Sequence, residues 1–289
     1  MIQGLVASIA ASVLFGVMYY MAPMLQPLDG EQIFGWRVLC TLPFTTALML
    51  ARGQWPRVRE LLLQAVRQPG LALALVGSAA MLGVQLWLFL WAPLHGRALP
   101  VSLGYFLLPL VMVLAGRVLF NEQLSRLQWV ATALAGAGVA HEMARTGGIS
   151  WETGVVAVGY TMYFVLRRFL RTAHLGGHWL DMVLLAPAAL WFMARPPSSL
   201  PLVAGSVHLW AMVPALGVVS AVALALYMAA SRLLPLGLFG LLSYVEPVLL
   251  ALVALLLGES IERDQWLTYG PIFAAVGVLV LDGARRLRR

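Results

Sequence analysis

Two similar stretches stand in the two halves of the chain: YFLLP at residues 105–109 and SYVEP at residues 243–247. Each ends in a proline and continues into an apolar run. A glutamate follows 13 residues after the first proline and 12 residues after the second. In both copies a tryptophan stands seven residues beyond that glutamate. This shared spacing indicates an internal repeat, with one copy in each half of the chain.

A second pair of positions follows the same pattern. Arg37 lies six residues before Pro43, and Asp181 lies six residues before Pro187. Each pair belongs to an early hydrophobic segment of its own half. The sequence therefore predicts two repeat units, residues 1–146 and residues 147–289.

The composition places these units in a membrane. Of 289 residues, 61% are hydrophobic and 11% are charged, whereas soluble domains are about half apolar and about a quarter charged. A helix needs about 20 mostly apolar residues to cross a bilayer. Apolar windows between short polar breaks predict ten such helices: 2–22, 32–51, 70–92, 101–120, 127–144, 154–169, 180–194, 209–230, 236–257 and 266–283. We expect an all-α integral membrane protein with no room for a soluble domain.

Ten spans divide into five per repeat unit. Because five is odd, the two units must cross the membrane in opposite directions, which is the inverted-repeat architecture that carriers use for alternating access. With the N-terminus in the cytoplasm, thirteen arginines fall on the inner side and four on the outer side. This positive-inside bias predicts cytoplasmic termini at both ends. The longest inner loop, residues 52–69, is expected to hold a short interfacial helix.

Several kinds of chemistry are excluded by missing residue types. All 19 basic residues are arginine, so the chain lacks the lysine of a Walker A loop or of a pyridoxal phosphate site. Cys40 is the sole cysteine, which rules out a disulfide framework and a thiolate zinc site. His174 and His178 have metal-like spacing, but the glycines between them favour a solvated loop. We expect no cofactor, no metal and, despite the net charge of +7, no nucleic-acid partner.

At these motifs the chain resembles the EamA family of the drug/metabolite transporter superfamily, and most closely its RarD branch. The resemblance covers the whole chain and rests on these stretches: 90–92, 102–106, 109–110, Glu122, 128–129, 230–233, 243–247 and 258–259. It implies a ten-helix carrier of the bacterial inner membrane, usually an exporter, with a central cavity between the halves. Glu122 and Glu259 are interpreted as structural groups at helix ends.

Two residues depart from the pattern of the RarD branch. Leu108 stands where those proteins usually have an asparagine, and Glu246 stands where they usually have a glycine. Both positions directly precede the equivalent prolines, Pro109 and Pro247, at which we expect helix breaks. One half has lost a polar group and the other has gained an acid, so the cargo is expected to differ from that of typical RarD proteins.

Glu246 is the leading candidate for substrate or proton binding. A carboxylate in mid-span is costly and usually faces the interior of a helix bundle. It can take up a proton or bind a substrate ammonium group, and the alternative is a structural ion pair with a buried arginine. Arg37 and Asp181 can clamp the two ends of a zwitterion, pair with each other or with Glu246, or instead snorkel to the membrane surface.

The remaining candidates are polar or aromatic side chains in the predicted spans, where they can line a cavity or simply pack: Tyr105, Tyr244, Trp87, Trp91, Tyr160, Tyr163 and Gln85. Tyr105 and Tyr244 stand out because each precedes a proline. The sequence thus predicts a secondary transporter that exports a small polar or zwitterionic metabolite, such as an amino acid, a nucleobase, an amino-acid-derived metallophore or a drug. It would work as a monomer or homodimer. Alternatives are a lipid-processing intramembrane enzyme, for which no nucleophile or metal motif is present, and a non-transporting membrane partner.

Overall fold

The computed structural model describes residues 2–94, 97–195, 198–246, 249, 263–264 and 266–287. Helices account for the regular structure of these residues, and none of the described segments is a strand. The first half contains α1 Ile2–Met21, a 3₁₀ turn Ala22–Leu25, α2 Gly30–Ala51, α3 Trp55–Arg67, α4 Pro69–Leu94, α5 Ala98–Phe120 and α6 Arg126–Thr146. The second half contains α7 Trp151–Phe169, α8 Leu175–Ala194, α9 Leu200–Ala204, α10 Val207–Leu233, α11 Leu236–Leu242 and α12 Trp266–Leu287.

Five of these helices, α2, α4, α5, α8 and α10, are long and apolar enough to cross a membrane. Helices α1 and α12 contain shorter apolar stretches, Ile2–Met18 and Trp266–Leu279. Large apolar side chains also cover the outside of the bundle; for example, Leu73 is 74% exposed and Trp210 is 70% exposed. Lipid is a suitable surrounding for such a surface. The helix expected in the loop 52–69 is present as α3, and of the predicted window 236–257 only α11 and a few following residues are described.

Helix pairs across the two halves form the core. Helix α2 packs on α8, α5 on α11, and α6 on α12, while α1 packs on α10 and α4 on α7. Helix α10 also crosses α2 so closely that a Cβ atom on Gly217 would lie 2.6 Å from Cβ of Cys40. This crossing requires glycine, because real Cβ atoms do not approach so near.

The two proline motifs differ in structure. A helix break is expected at Pro109, but α5 runs through this residue without interruption. Packing explains the difference: Gly240 of α11 lies against Met112 and the Pro109 carbonyl, so tertiary contacts hold α5 together despite one missing hydrogen bond. In the second half α11 ends at Leu242, and a turn at residues 243–244 precedes a resumed helical segment at 245–246. Pro247 and Glu259 lie outside the described residues.

Glu122 joins the halves by capping α11. Its carboxylate accepts hydrogen bonds from the backbone N–H groups of Leu236, at 2.7 Å, and Gly237, at 2.9 Å. Arg168 at the end of α7 also donates to the same carboxylate at 2.6 Å. A negative charge at a helix N-terminus satisfies free N–H groups and interacts favourably with the helix dipole. This is the structural role expected for Glu122.

We expect Glu122→Gln to lower the unfolding free energy of the purified protein by about 1–2 kcal/mol, because the amide keeps the shape but loses the charge at the cap. The midpoint of thermal unfolding in detergent should fall by roughly 2–4 °C. Glu60→Gln, at an exposed carboxylate of α3, is the matched control and should leave the midpoint unchanged. Equal midpoints for both variants would show that the cap contributes nothing.

Candidate functional site

Two opposite charges approach each other inside the helix bundle. Arg37 is on α2 and is 6% exposed, and Glu246 follows the turn that ends α11. They lie close enough for an electrostatic interaction. Among the described residues, however, no direct ion pair joins them. The burial of Arg37 excludes the snorkelling interpretation. Arg37 lies near Glu246, as one of the arrangements considered from the sequence has it, but the two do not form a direct ion pair among the described residues.

Arg37 is held in place by a neighbouring helix. Its Nε donates a hydrogen bond of 3.1 Å to Oγ of Ser220 on α10, a residue that is fully buried. The two terminal nitrogens of the guanidinium have no hydrogen-bond partner in the described part of the protein. A planar guanidinium fixed in this way presents parallel donors that suit a carboxylate.

Aromatic rings form one side of the same region. This aromatic wall consists of Tyr105, Tyr160, Phe164 and Tyr227. Centroid distances between successive rings are 6.1 Å, 6.3 Å and 5.5 Å. The three tyrosines remain partly accessible although they lie among packed helices, as side chains around an internal space do. Tyr105, Tyr160 and Tyr227 each lie close enough to Glu246 to be within its electrostatic range.

The Tyr227 hydroxyl and Oγ of Ser243 are 3.2 Å apart, which ties the aromatic wall to the turn before Glu246. Ser243 in turn donates to the Phe239 carbonyl at 3.2 Å. The break at residues 243–244 therefore places the carboxylate beside the tyrosines. A carboxylate, an arginine and phenol groups around one space can bind a small molecule that carries both a positive and a negative group.

Asp181 is part of a different cluster. It is 1% exposed and forms a buried ion pair with Arg167 of α7, which is 0% exposed. Its carboxylate also accepts hydrogen bonds from the hydroxyls of Tyr163, at 3.0 Å, and Ser78, at 3.4 Å. The predicted clamp between Arg37 and Asp181 is therefore not formed. Asp181 is neutralised locally and connects α4, α7 and α8.

The histidines also differ from the solvated loop that their spacing suggests. His174 caps α8 by accepting a hydrogen bond of 3.2 Å from the Gly177 N–H. His178 lies within α8 and is 1% exposed. Burial and three nearby arginines lower the pKa of the His174 imidazole to about 4, so the ring stays neutral. In the part of the chain that the structure describes, no three metal-binding side chains form a group.

The side chains of the other candidates make their contacts elsewhere. Tyr244 is fully buried and donates a 2.8 Å hydrogen bond to the Phe106 carbonyl. Tyr163 belongs to the Asp181 cluster. Gln85 binds the Val155 carbonyl at 2.8 Å beside an open apolar groove between α4 and α7. Trp87 packs on Trp91, with ring centroids 5.2 Å apart, and faces Glu31. Of the predicted residues, the structure thus brings Glu246, Arg37, Tyr105 and Tyr160 together.

Three residues, two near Arg37 and Glu246 and one in the Asp181 cluster, are not found by sequence reasoning. Tyr227 and Ser220 lie in an apolar helix without a flanking motif, so nothing in the sequence distinguishes them. Arg167 stands in the run 167–171, whose arginines all read as topology signals. The one signal for an inward-facing arginine is Asp181 in the next span, because a buried acid needs a partner of opposite charge.

Comparison with known proteins places the chain among transporters. It is 45% identical over 291 residues to the chloramphenicol-sensitive protein RarD of Pseudomonas aeruginosa, covering 99% of this chain and 96% of that protein. An uncharacterized transporter of Pasteurella multocida is 39% identical over 100% of this chain and 99% of that protein. Protein RarD of Escherichia coli is 28% identical over 99% of this chain and 97% of that protein.

No family model matches the chain. A solved crystal structure has the same fold, with a TM-score of 0.71 at 22% identity over 99% of both chains. Full-length similarity to transporters and the apolar helices together make this a multi-pass membrane protein. The chain belongs to the RarD-like family of membrane transporters.

Proposed function

We propose that the protein is a secondary transporter of a small zwitterionic metabolite. The observation that carries this proposal is the pair Arg37 and Glu246, which face one region without forming an ion pair among the described residues. Arg37 binds the cargo carboxylate, Glu246 binds its ammonium group, and the aromatic wall covers the remainder. Amino acids and amino-acid-derived compounds fit this arrangement, whereas a neutral nucleobase uses only part of it.

The mechanism we propose is alternating access between two inverted units, residues 1–146 and 147–289. A pseudo-two-fold axis between units of five spans would pair the second span with the seventh, the fourth with the ninth and the fifth with the tenth. The observed contacts of α2 with α8, α5 with α11, and α6 with α12 support this scheme of ten spans. The same axis would turn the contact of the first span with the eighth, α1 with α10, into the contact of the sixth span with the third, α7 with α4. Both contacts are present.

Export from a bacterial cell is the direction we propose, driven by protons taken up at Glu246. The bias of thirteen arginines to four supports an inner-membrane orientation with both termini in the cytoplasm. Glu246 supports coupling because a carboxylate inside the helix bundle and near Arg37 can alternate between a proton and a cationic ligand. No cofactor is required.

The experiment is an untargeted comparison of metabolites inside and outside cells that carry or lack the gene. We expect a zwitterionic compound to accumulate inside the cells and to disappear from the medium when the gene is deleted. Re-expression of the intact chain should reverse both changes. A compound left in the medium would indicate uptake instead, and a chemically altered lipid with unchanged partitioning would favour an enzyme.

A further inference from the structure

Helix α3 is held at the edge of the membrane-spanning bundle. Only three residues separate it from the end of α2, and one residue separates it from the start of α4. Both neighbours are apolar enough to cross a membrane. Since its two ends are tied to these spans, α3 must stay near the level at which they leave the bilayer.

One face of α3 packs on the bundle, and beside it runs an apolar strip that stays largely exposed. Val58 is 0% exposed and Leu61 is 7% exposed. Trp55, Leu62 and Val66 recur at spacings of seven and four residues, which puts them on one line of the helix, and they are 44%, 37% and 83% exposed. An unburied apolar line along a surface helix is what an interfacial helix lays into lipid.

The rest of the exposed surface of this segment is strongly positive. Between residues 52 and 67 there are four arginines, all exposed, and a single acid, Glu60. None of these arginines forms an ion pair among the described residues. Exposed guanidinium groups on a helix that also carries an exposed apolar strip complement a lipid, which has both a phosphate and acyl chains.

The buried face of α3 contacts the start of α8. Val58 packs closely against Gly176: a Cβ atom added to Gly176 would lie 2.5 Å from Cγ2 of Val58. At the border between this face and the exposed strip, the rings of Trp55 and Trp179 meet edge to face at 5.9 Å. Anything that fixes α3 therefore also fixes the first turns of α8, which lead to Asp181.

We propose that α3 is a binding site for the headgroups of anionic phospholipids. Arg57, Arg59 and Arg67 bind the lipid phosphate and anionic headgroup, while the strip formed by Trp55, Leu62 and Val66 lies among the acyl chains. The bound lipid braces α3 against α8. This site does not depend on the identity of the cargo.

The test uses the purified full-length protein in detergent, titrated with phosphatidylglycerol or with phosphatidylcholine, and follows its thermal unfolding. Phosphatidylglycerol should raise the unfolding midpoint, and phosphatidylcholine should not. The variant Arg57→Gln/Arg59→Gln/Arg67→Gln should need roughly a hundredfold more phosphatidylglycerol for the same effect, at about fivefold per arginine. Its midpoint without added lipid should match that of the unaltered protein, which shows that the variant folds.

A control variant with the same loss of charge replaces three other exposed arginines by glutamine: Arg126, Arg171 and Arg232. This variant should respond to phosphatidylglycerol as the unaltered protein does. An equal loss of response in both variants would overturn the proposal, because it would reflect net charge alone. Equal stabilisation by free inorganic phosphate would also overturn it, because the site would then recognise a soluble anion.

Discussion

Replacing Glu246 by glutamine is expected to reduce transport of the zwitterion by about 100-fold and to remove its dependence on a proton gradient. Glutamine keeps the size of the side chain and a hydrogen-bonding group, but it carries no charge and takes up no proton. Loss of one member of a buried charge interaction typically costs 2–5 kcal/mol, which sets this magnitude. Flux should be measured in proteoliposomes with and without an imposed pH difference.

Two controls separate this effect from misfolding. The amount of Glu246→Gln protein in the membrane and its thermal midpoint should equal those of the unaltered chain. Glu60→Gln, an exposed carboxylate on α3, should transport normally. Proton-coupled flux at the normal rate in Glu246→Gln would mean that the coupling group lies elsewhere.

The largest loss of stability is expected for Asp181→Ala. This change leaves the Arg167 guanidinium inside the protein without its carboxylate, and it also removes the acceptor for Tyr163 and Ser78. Breaking a buried ion pair from one side costs about 3–5 kcal/mol. We expect little folded protein, measured as the monodisperse fraction in size-exclusion chromatography after detergent extraction.

The double variant Arg167→Met/Asp181→Leu is the informative partner experiment. Replacing both charges with apolar groups of similar length removes the uncompensated charge, and such replacements are often neutral. Folded protein should therefore recover most of the amount lost in Asp181→Ala. If Asp181→Ala is as abundant and as stable as the unaltered chain, the pair is not the structural connection between α7 and α8 that its burial indicates.

Much of the helical architecture can be predicted from the sequence because bilayer thickness imposes a length on each apolar run. Windows such as 70–92 and 209–230 fall inside α4 and α10. Local composition also favours α3, since apolar residues stand among the arginines of the loop 52–69. The course of α5 through Pro109 cannot be predicted in this way, because it depends on the contact with Gly240 in a distant segment.

The site is less predictable for the same physical reason. Arg37 and Glu246 are far apart in sequence, and only the packing of α2, α10 and α11 brings them together. Asp181 has the same spacing to its proline as Arg37, yet it pairs with an arginine of the preceding helix. Tyr244 turns into the core, whereas Tyr227 faces Glu246. In helices that are apolar all round, the sequence pattern does not indicate which face lines the cavity.

The most direct measurement compares the binding of three compounds: the zwitterion identified from the metabolite comparison, its carboxyl methyl ester and its N-acetyl derivative. Calorimetry should be performed with the unaltered protein, Arg37→Met and Glu246→Gln. With the unaltered protein, each derivative should bind at least tenfold more weakly than the parent compound. The ester should bind Arg37→Met as tightly as it binds the unaltered protein, because the ester lacks the carboxylate that Arg37 binds. For the same reason, the N-acetyl derivative should bind Glu246→Gln as tightly as it binds the unaltered protein. Binding of both derivatives as tightly as the parent compound would contradict recognition of a zwitterion by Arg37 and Glu246.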